Sequence, residues 1–237
     1  GGEDITNLPE YKRAAFLGRV FQDPMMGTAA DMQIEENLAL AMRRGKKRGL
    51  KWAITKDERE SFRESLKTLE LGLEDRLTSK VGLLSGGQRQ ALTLLMAVMN
   101  EPKLLLLDEH TAALDPKTAA TVLSLTDRFI AENGLTAMMV THNMMDAIKH
   151  GNRLIMMNEG NIILDIRHNI TGYKGGLTLS CRIKRRYTYQ TMHSVLRLQI
   201  PVSILTVNFQ CHGFITCFIS VQEINHFRGK TALIRPT

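Results

Sequence analysis

The segment at residues 84–90 contains residue types that can bind a phosphate. Gly86 and Gly87 follow Ser85 at the start of a predicted helix. Glycines let backbone N–H groups approach an anion, the helix dipole favours its negative charge, and a serine hydroxyl adds a donor. The same residues also suit an ordinary serine-capped helix after a glycine turn. The segment therefore predicts either an anion-binding helix start or a plain helix cap.

Two adjacent carboxylates follow an apolar segment. Residues 104–107 are four leucines, which predict a central parallel strand covered on both faces, and Asp108 and Glu109 come next. Ligands bind at the carboxyl edge of such sheets. One carboxylate there can organise Mg²⁺, and its neighbour can polarise an attacking water molecule. A strand that simply ends in a polar turn is the alternative.

Three further polar residues lie at predicted element ends. Asp115 precedes Pro116, a good first helical residue, so Asp115 can be a ligand contact or only a helix cap. His142 follows a buried strand, where an imidazole can contact a phosphoryl group during transfer. Gln22 follows the short apolar run at 16–21. Each of these residues also occurs at such places for structural reasons alone.

The elements that must position these residues alternate between strands and helices. Strands are predicted near 16–21, 104–108 and 135–140, helices within 31–83, from 85 onward and at 116–132, and a hairpin at 153–164. This alternation predicts an α/β fold with a parallel sheet. Apolar residues make up 43% of the chain, which excludes global disorder.

Charge and cysteine content divide the chain near residue 165. Residues 166–237 hold ten of the 31 Lys and Arg, one of the 24 acidic residues and all three cysteines. The first part is nearly neutral and free of cysteine, as a cytosolic enzyme domain can be. No apolar run is long enough to predict a transmembrane helix.

The order and spacing of these segments resemble the ATP-binding cassette (ABC) family. The resemblance covers residues 1 to about 165 and rests on Gln22, Ser85, Asp108, Asp115 and His142. It implies an ABC ATPase domain at 1–165 with a P-loop NTPase-like parallel sheet and a helical subdomain at about 31–83. It also implies nucleotide contacts from the Q-loop, the family signature and the D-loop. Those contacts would come from Gln22, from Ser85, Gly86, Gly87 and Gln88, and from Asp115.

The resemblance implies catalytic and metal-binding roles as well. Glu109 would orient or activate water for attack on the γ-phosphate, and His142 would steady that phosphate. Asp108 would hold Mg²⁺, with Gln22 as a second contact. The implied cofactors are ATP and Mg²⁺. Two copies would face head to tail, so that each ATP contacts the acidic strand of one copy and the signature of the other.

Two parts of the sequence depart from the family. The phosphate loop Gly-x-x-x-x-Gly-Lys-Ser/Thr, which lies upstream of the Q-loop in the family, does not occur. We therefore expect a domain that is incomplete at its N-terminus, and a fragment that binds ATP feebly. The basic tail at 166–237 is open to three interpretations: a regulatory module, a nucleic-acid or lipid-binding arm, or a shifted reading frame without ordered structure. We favour the shifted frame because the family pattern stops abruptly.

The function implied is that of the nucleotide-binding subunit of an ABC importer for a small solute. Residues 18–42 resemble ATPases of bacterial importers paired with a substrate-binding lipoprotein, some of which are named for amino acids. The expected partners are a second copy, transmembrane permease subunits and, indirectly, the lipoprotein, with no nucleic acid. The expected place is the cytoplasmic face of the inner membrane, through the permease. The alternatives are an ABC ATPase that acts on nucleic acid or ribosomes, and a non-catalytic fragment that completes a partner's site.

Overall fold

A computed structural model describes residues 4–46, 54–158, 160–168, 179–181 and 217–222. The strands are β1 (Leu17–Val20), β2 (Leu104–Asp108), β3 (Thr136–Thr141), β4 (Arg153–Asn158), β5 (Asn161–His168), β6 (Leu179–Cys181) and β7 (Cys217–Gln222). In these residues they form one sheet in the order β1-β2-β3-β7-β4-β5-β6.

Helices precede and follow the first three strands. They are α1 (Glu10–Arg13), α2 (Ile34–Met42), α3 (Lys56–Lys67), α4 (Gly86–Val98), α5 (Pro116–Glu132) and α6 (Met144–His150), with 3₁₀ turns at Pro24–Gly27 and Val81–Leu83. No helix in the described ranges is long and apolar enough to cross a membrane.

The neighbouring strands β1, β2 and β3 are parallel, as the alternating pattern predicts. Leu107 of β2 lies between Val20 of β1 and Met139 of β3. The carboxyl ends of the three strands therefore share one edge of the sheet. Gln22, the acidic end of β2 and His142 all follow these strand ends.

One face of this parallel part carries the helices. A Cβ atom on Gly18 would lie 2.7 Å from the carbonyl oxygen of Ala97, so the glycine lets α4 approach β1 closely. Residues of α5 and the end of α6 lie over Leu107 and Met139 on the same face. The sheet edge is thus fixed from one side by three helices.

The expectation that β2 is covered on both faces is wrong for the described residues. Leu105 and Leu107 are buried, whereas Leu104 and Leu106 are only partly buried. The difference arises because α4, α5 and the end of α6 lie on the face of Leu105 and Leu107.

The helical part predicted at 31–83 is built on α2 and α3. Their apolar sides, formed by Ile34, Leu38, Phe62 and Leu66, lie in the buried core. The buried carboxylate of Glu35 accepts two hydrogen bonds from Arg59, at 2.6 and 2.8 Å, which join the two helices. Both helices lie within the range in which helices are predicted, and both precede α4.

The described strands after residue 150 are antiparallel. β4 and β5 pair as the predicted hairpin, with a bulge between Met156 and Met157. β5 ends at His168, a little beyond the division expected near residue 165. β7 pairs with both β3 and β4, and β6 pairs with β5. The rest of the tail at 166–237 lies outside the described residues.

Candidate functional site

Glu109 directly follows β2 in a left-handed backbone conformation. Its φ angle is 42°, and its N–H donates to the carbonyl oxygen of Val140 at 2.9 Å. Positive φ is uncommon outside glycine, carries a cost in strain, and clusters at functional sites. The Glu109 backbone is thus anchored to β3 at the point where the carboxylate leaves the sheet edge.

The Glu109 carboxylate lies beside the imidazole of His142. Oε2 is 3.5 Å from Nδ1, which is longer than an ordinary hydrogen bond. The Glu109 side chain is 25% exposed and the His142 side chain 66% exposed. Next along the chain, Asn143 caps α6 by accepting from the N–H of Met145 at 3.0 Å. The structure therefore brings the two predicted catalytic residues together at a helix start.

Asp108 is paired with a basic residue of the neighbouring strand. Nη2 of Arg19 lies 3.2 Å from Oδ2 of Asp108, and the guanidinium lies over the Phe21 ring. Both charged side chains are about half exposed, so the pair is screened by water and contributes little to folding. The carboxylate remains open to solvent at the sheet edge.

The donor set at this edge fits a Mg²⁺ ion that arrives with a phosphate. Asp108 offers carboxylate oxygens, and Gln22, which is exposed two residues after β1, offers an amide oxygen. Mg²⁺ is usually bound by one or two carboxylates together with substrate phosphates. Within the described ranges no group of three or more His, Cys, Asp or Glu side chains can hold a metal ion. The oxygens of a bound phosphate would have to complete the coordination.

The Ser85 turn, residues 81–87, precedes α4 and is closed by a reciprocal cap. Ser85 Oγ accepts from the Gln88 N–H, and Gln88 Oε1 accepts from the Ser85 N–H, both at 3.2 Å. The first N–H groups of a helix have no partner within the helix. Ser85 and Gly86 are exposed, so the backbone at the helix start faces solvent. The residues that are predicted to bind an anion are therefore the same residues that form the predicted helix cap.

The two glycines of this turn have different surroundings. A Cβ atom on Gly87 would lie 2.1 Å from Cγ2 of Thr118, near the start of α5. A Cβ atom on Gly86 would make an ordinary contact, 3.6 Å from a methyl group of Leu114. Within a single copy of the chain, the close approach of Thr118 therefore favours a glycine at position 87, whereas position 86 has room for a Cβ atom.

Asp115 caps α5, as one of its two predicted roles requires. Its carboxylate accepts from the N–H of Thr118 at 3.1 Å, and hydrogen bonding with the side chain and then the backbone of Thr118 lowers the pKa of Asp115 below its ordinary value. Pro116 occupies the first helical position. Because Leu114 and Thr118 face the two glycines of the Ser85 turn, Asp115 lies next to that turn in the same copy.

A cleft of about 600 Å³ adjoins the acidic edge. Its lining includes Glu109, Thr111, His142, Asn143 and Lys149. Ser85, Gly86, Gly87 and Gln88 do not line this cleft. The predicted residues therefore fall into two groups: the acidic edge with the cleft, and the Ser85 turn against the start of α5.

His110 supports the acidic edge from inside. It is buried, and its Nε2 lies 3.2 Å from Oγ1 of Thr126. Burial, and to a smaller extent the charge of His150, lower the pKa of His110 to about 4, and Asp127 opposes the shift. The imidazole is therefore neutral near pH 7 and acts as a packing residue behind Glu109.

Three residues near the site are not singled out by the sequence patterns. Arg19 pairs with Asp108, Arg89 binds the Ser85 turn, and the fully buried Gln90 donates to the Phe21 carbonyl oxygen at 3.3 Å. Arg89 and Gln90 are the last two residues of the segment at 84–90, and this position was the available signal. Arg19 gives no local signal, because its contact depends on strand register.

The chain is similar to known ATP-binding proteins. A family model described as "ABC transporter" matches residues 2–112. The chain is 48% identical over 163 residues to a tyrosine transport ATP-binding protein of Clostridioides difficile, covering 69% of this chain and 64% of that protein. It is 34% identical over 148 residues to the methionine import ATP-binding protein MetN of Streptococcus pneumoniae, covering 62% of this chain and 39% of that protein. The chain thus spans less than two thirds of these curated relatives.

Two solved structures resemble the fold. One is a dimeric ATP-binding cassette in a post-hydrolysis state bound to ADP and Pi, with 30% identity, a TM-score of 0.56, and coverage of 73% of this chain and 70% of that one. The other is the ADP conformation of an ATP-binding cassette of an ABC transporter. It has 26% identity and a TM-score of 0.57, and the match covers 70% of this chain and 66% of that one.

Proposed function

Because the chain belongs to the ATP-binding cassette (ABC) transporter family, as an ATP-binding subunit, we propose that the protein hydrolyses ATP between two head-to-tail copies. The observation that carries this proposal is the shared edge of three parallel strands. Asp108 ends β2, Gln22 and His142 follow β1 and β3, and the N–H of Glu109 is bonded to Val140 of β3. The Ser85 turn belongs to a separate surface, which suits the site of a second copy.

Glu109 is the group that orients and polarises the attacking water. Its backbone is held by the Val140 carbonyl, and its carboxylate is three-quarters shielded from solvent, which keeps its charge effective. His142, 3.5 Å away and largely exposed, donates to a γ-phosphate oxygen. Glu109 thus contacts the water and His142 contacts the phosphate, each from the end of one of two adjacent strands.

Asp108 and Gln22 bind the Mg²⁺ that accompanies ATP. When bound, the ion neutralises charge on the phosphate oxygens during transfer. Arg19 occupies only Oδ2 of Asp108 in the contacts described, so the second carboxylate oxygen can serve the ion. Gln22, at the end of the neighbouring strand β1, supplies its amide oxygen from the same edge.

The Ser85 turn binds the γ-phosphate of the ATP held by the partner copy. Its support is the exposed backbone at Ser85 and Gly86 and the positive end of α4. The Ser85 hydroxyl accepts from Gln88, and a hydroxyl that accepts one hydrogen bond can still donate another to a phosphate. Asp115 lies beside this turn and reaches the same interface.

The protein drives an importer for a small solute, for which an amino acid is the natural candidate. Two relatives carry names of tyrosine transport and methionine import. Met26 and Leu83 are 69% and 72% exposed, close to Gln22 and the Ser85 turn, and suit an apolar permease segment. A lipoprotein would act through the permease, and the ATPase would lie at the cytoplasmic face of the membrane.

Hydrolysis by the protein expressed from its whole gene tests this proposal. Glu109→Gln keeps the shape of the side chain and removes its charge, so kcat should fall by at least about 100-fold, while ATP binding persists. Glu132→Gln, at the exposed end of α5, is the matched control and should leave kcat unchanged. Phosphate release is the measurement. Wild-type kcat in Glu109→Gln would contradict the assignment.

A further inference from the structure

The side chain of Arg89 folds back from α4 over the Ser85 turn. Nη2 donates to the carbonyl oxygens of Gly82 at 3.0 Å and Leu84 at 3.1 Å. Nε and Nη2 both lie 3.3 Å from the Val81 carbonyl oxygen. A guanidinium carries five N–H donors in a planar fork, which lets one side chain bind several carbonyls. The backbone just before Ser85 is therefore fastened to α4.

The same guanidinium contacts the Gln22 loop, residues 21–28. Nη1 contacts the thioether sulphur of Met25, which lies three residues after Gln22. On the other side of Gln22, the Phe21 carbonyl accepts from the buried side chain of Gln90. Two consecutive residues of α4 thus hold the Gln22 loop on both sides of its functional residue.

The charge of Arg89 is directed at backbone dipoles. Across the part of the chain that the structure describes, no ion pair involving Arg89 occurs, and its guanidinium contacts the three carbonyl oxygens and Met25 there. Hydrogen bonds from a charged donor are about twice as strong as neutral ones. Removing the guanidinium would therefore weaken the hold on both segments at once.

Backbone hydrogen bonds also connect the Ser85 turn to residues that lie beyond the Gln22 loop. The Val81 N–H donates to the Met32 carbonyl at 3.0 Å, and the Gly82 N–H donates to the Ala30 carbonyl at 2.8 Å. These bonds anchor the Ser85 turn to residues downstream of the Gln22 loop. In the described contacts, Arg89 is the side chain that reaches both the turn and Met25.

We propose that Arg89 is a positioning residue that makes the Gln22 loop and the Ser85 turn move as one unit. The inference rests on the proposed function, because it explains how a nucleotide contact at Gln22 reaches the turn that binds the partner's ATP. Arg89 acts through backbone carbonyls and does not contact the reacting atoms.

Amide hydrogen exchange without nucleotide tests the connection itself. Arg89→Met keeps the apolar stem and removes the donors. We expect the amides of Leu84 and Met26, one in each segment, to exchange about tenfold faster. Arg63→Met is the control, because Arg63 pairs with Glu60 on its own helix, and it should change neither segment. Faster exchange in the Ser85 turn alone would overturn the coupling.

Steady-state kinetics of the dimeric protein expressed from its whole gene provide the functional readout. Arg89→Met should lower kcat about tenfold with the KM for ATP unchanged, and Arg89→Lys should recover part of the loss. A lower melting temperature with wild-type kcat would overturn the inference. If Glu109→Gln is inactive and Arg89→Met is fully active, only this inference fails. If Glu109→Gln is fully active, the proposed function fails.

Discussion

The Ser85 turn and the acidic end of β2 are held by different kinds of contacts. Around Ser85, the reciprocal cap with Gln88 and the carbonyl bonds of Arg89 fix the backbone, and Gly87 packs against α5. At the end of β2, strand pairing fixes the backbone, but the side chain of Asp108 is half exposed and bonded only to an equally exposed Arg19 in the contacts described.

The two regions also differ in the atoms that they would offer to a ligand. The Ser85 turn offers backbone N–H groups, and Asp108 offers carboxylate oxygens. Backbone N–H groups bind a phosphate best when they are already in place, because no energy is then spent on reorganising them. A carboxylate that receives Mg²⁺ must instead share or exchange its resting partner. We infer that, in the proposed composite site, the Ser85 turn is the rigid half and the acidic end is the adjustable half.

Gly87 offers the strongest test of the rigid half. Gly87→Ala would put Cβ 2.1 Å from Cγ2 of Thr118, so either the Thr118 side chain would have to rotate or α4 and α5 would have to move apart. We expect the free energy of unfolding to fall by about 2 kcal/mol, as overpacking typically causes. Urea denaturation measures this change. Gly86→Ala, whose Cβ has room, is the matched control and should leave stability equal or slightly higher.

A second substitution tests whether the clash is the cause. Thr118→Ser removes the methyl group, and the remaining side-chain atoms of Thr118 lie 3.5 Å or more from the point that a Cβ atom on Gly87 would occupy. The double variant Gly87→Ala/Thr118→Ser should therefore regain most of the lost stability. A double variant as unstable as Gly87→Ala would show that other contacts hold the turn.

The buried support of the acidic end should make stability depend on pH. The pKa of His110 is lowered from 6.5 to about 4, so between these values the unfolded chain binds one proton more than the folded protein. The contribution of His110 to the free energy of unfolding is present above pH 6.5 and is lost as the pH falls toward 4. Between pH 7 and pH 5 we expect a loss of about 2 kcal/mol, measured by urea denaturation. His110→Gln should remove most of this difference, and an unchanged pH dependence would contradict it.

The ion pair at Asp108 should show the smallest effect on folding. Because both partners are half exposed, Arg19→Met should change the free energy of unfolding by less than about 0.5 kcal/mol. The same change should raise the affinity for Mg²⁺ in the presence of ATP a few-fold, because a competing cation is gone. A Mg²⁺ titration measures this, with Arg63→Met as the control. Lower Mg²⁺ affinity would mean that Arg19 supports the site.

Local patterns predict most elements of this fold because their causes are local. Ser85 with Gln88 and Asp115 with Pro116 are helix-start signals, and α4 and α5 begin as expected. The apolar run before Asp108 predicts where β2 ends. Its burial is predicted less well, because a run of leucines does not reveal which neighbour covers each face of a strand.

The site itself is predictable only in part. The shared edge follows from parallel strands, and it brings Glu109 to His142. The contact between Arg19 and Asp108 joins residues 89 positions apart and depends on strand register. Arg89 and Met25 meet only once α4 is packed against the Gln22 loop. Contacts of this kind have no local pattern in a single sequence.

If Glu109 of one copy and the Ser85 turn of the other form one catalytic site, two inactive variants should restore each other. Glu109→Gln removes the catalytic charge, and Gly86→Asp places a carboxylate where the phosphate binds. In an equal mixture, half of the dimers contain one intact site of two, so hydrolysis should recover to about one quarter of the wild-type rate. A mixture as inactive as either variant alone would contradict the shared site.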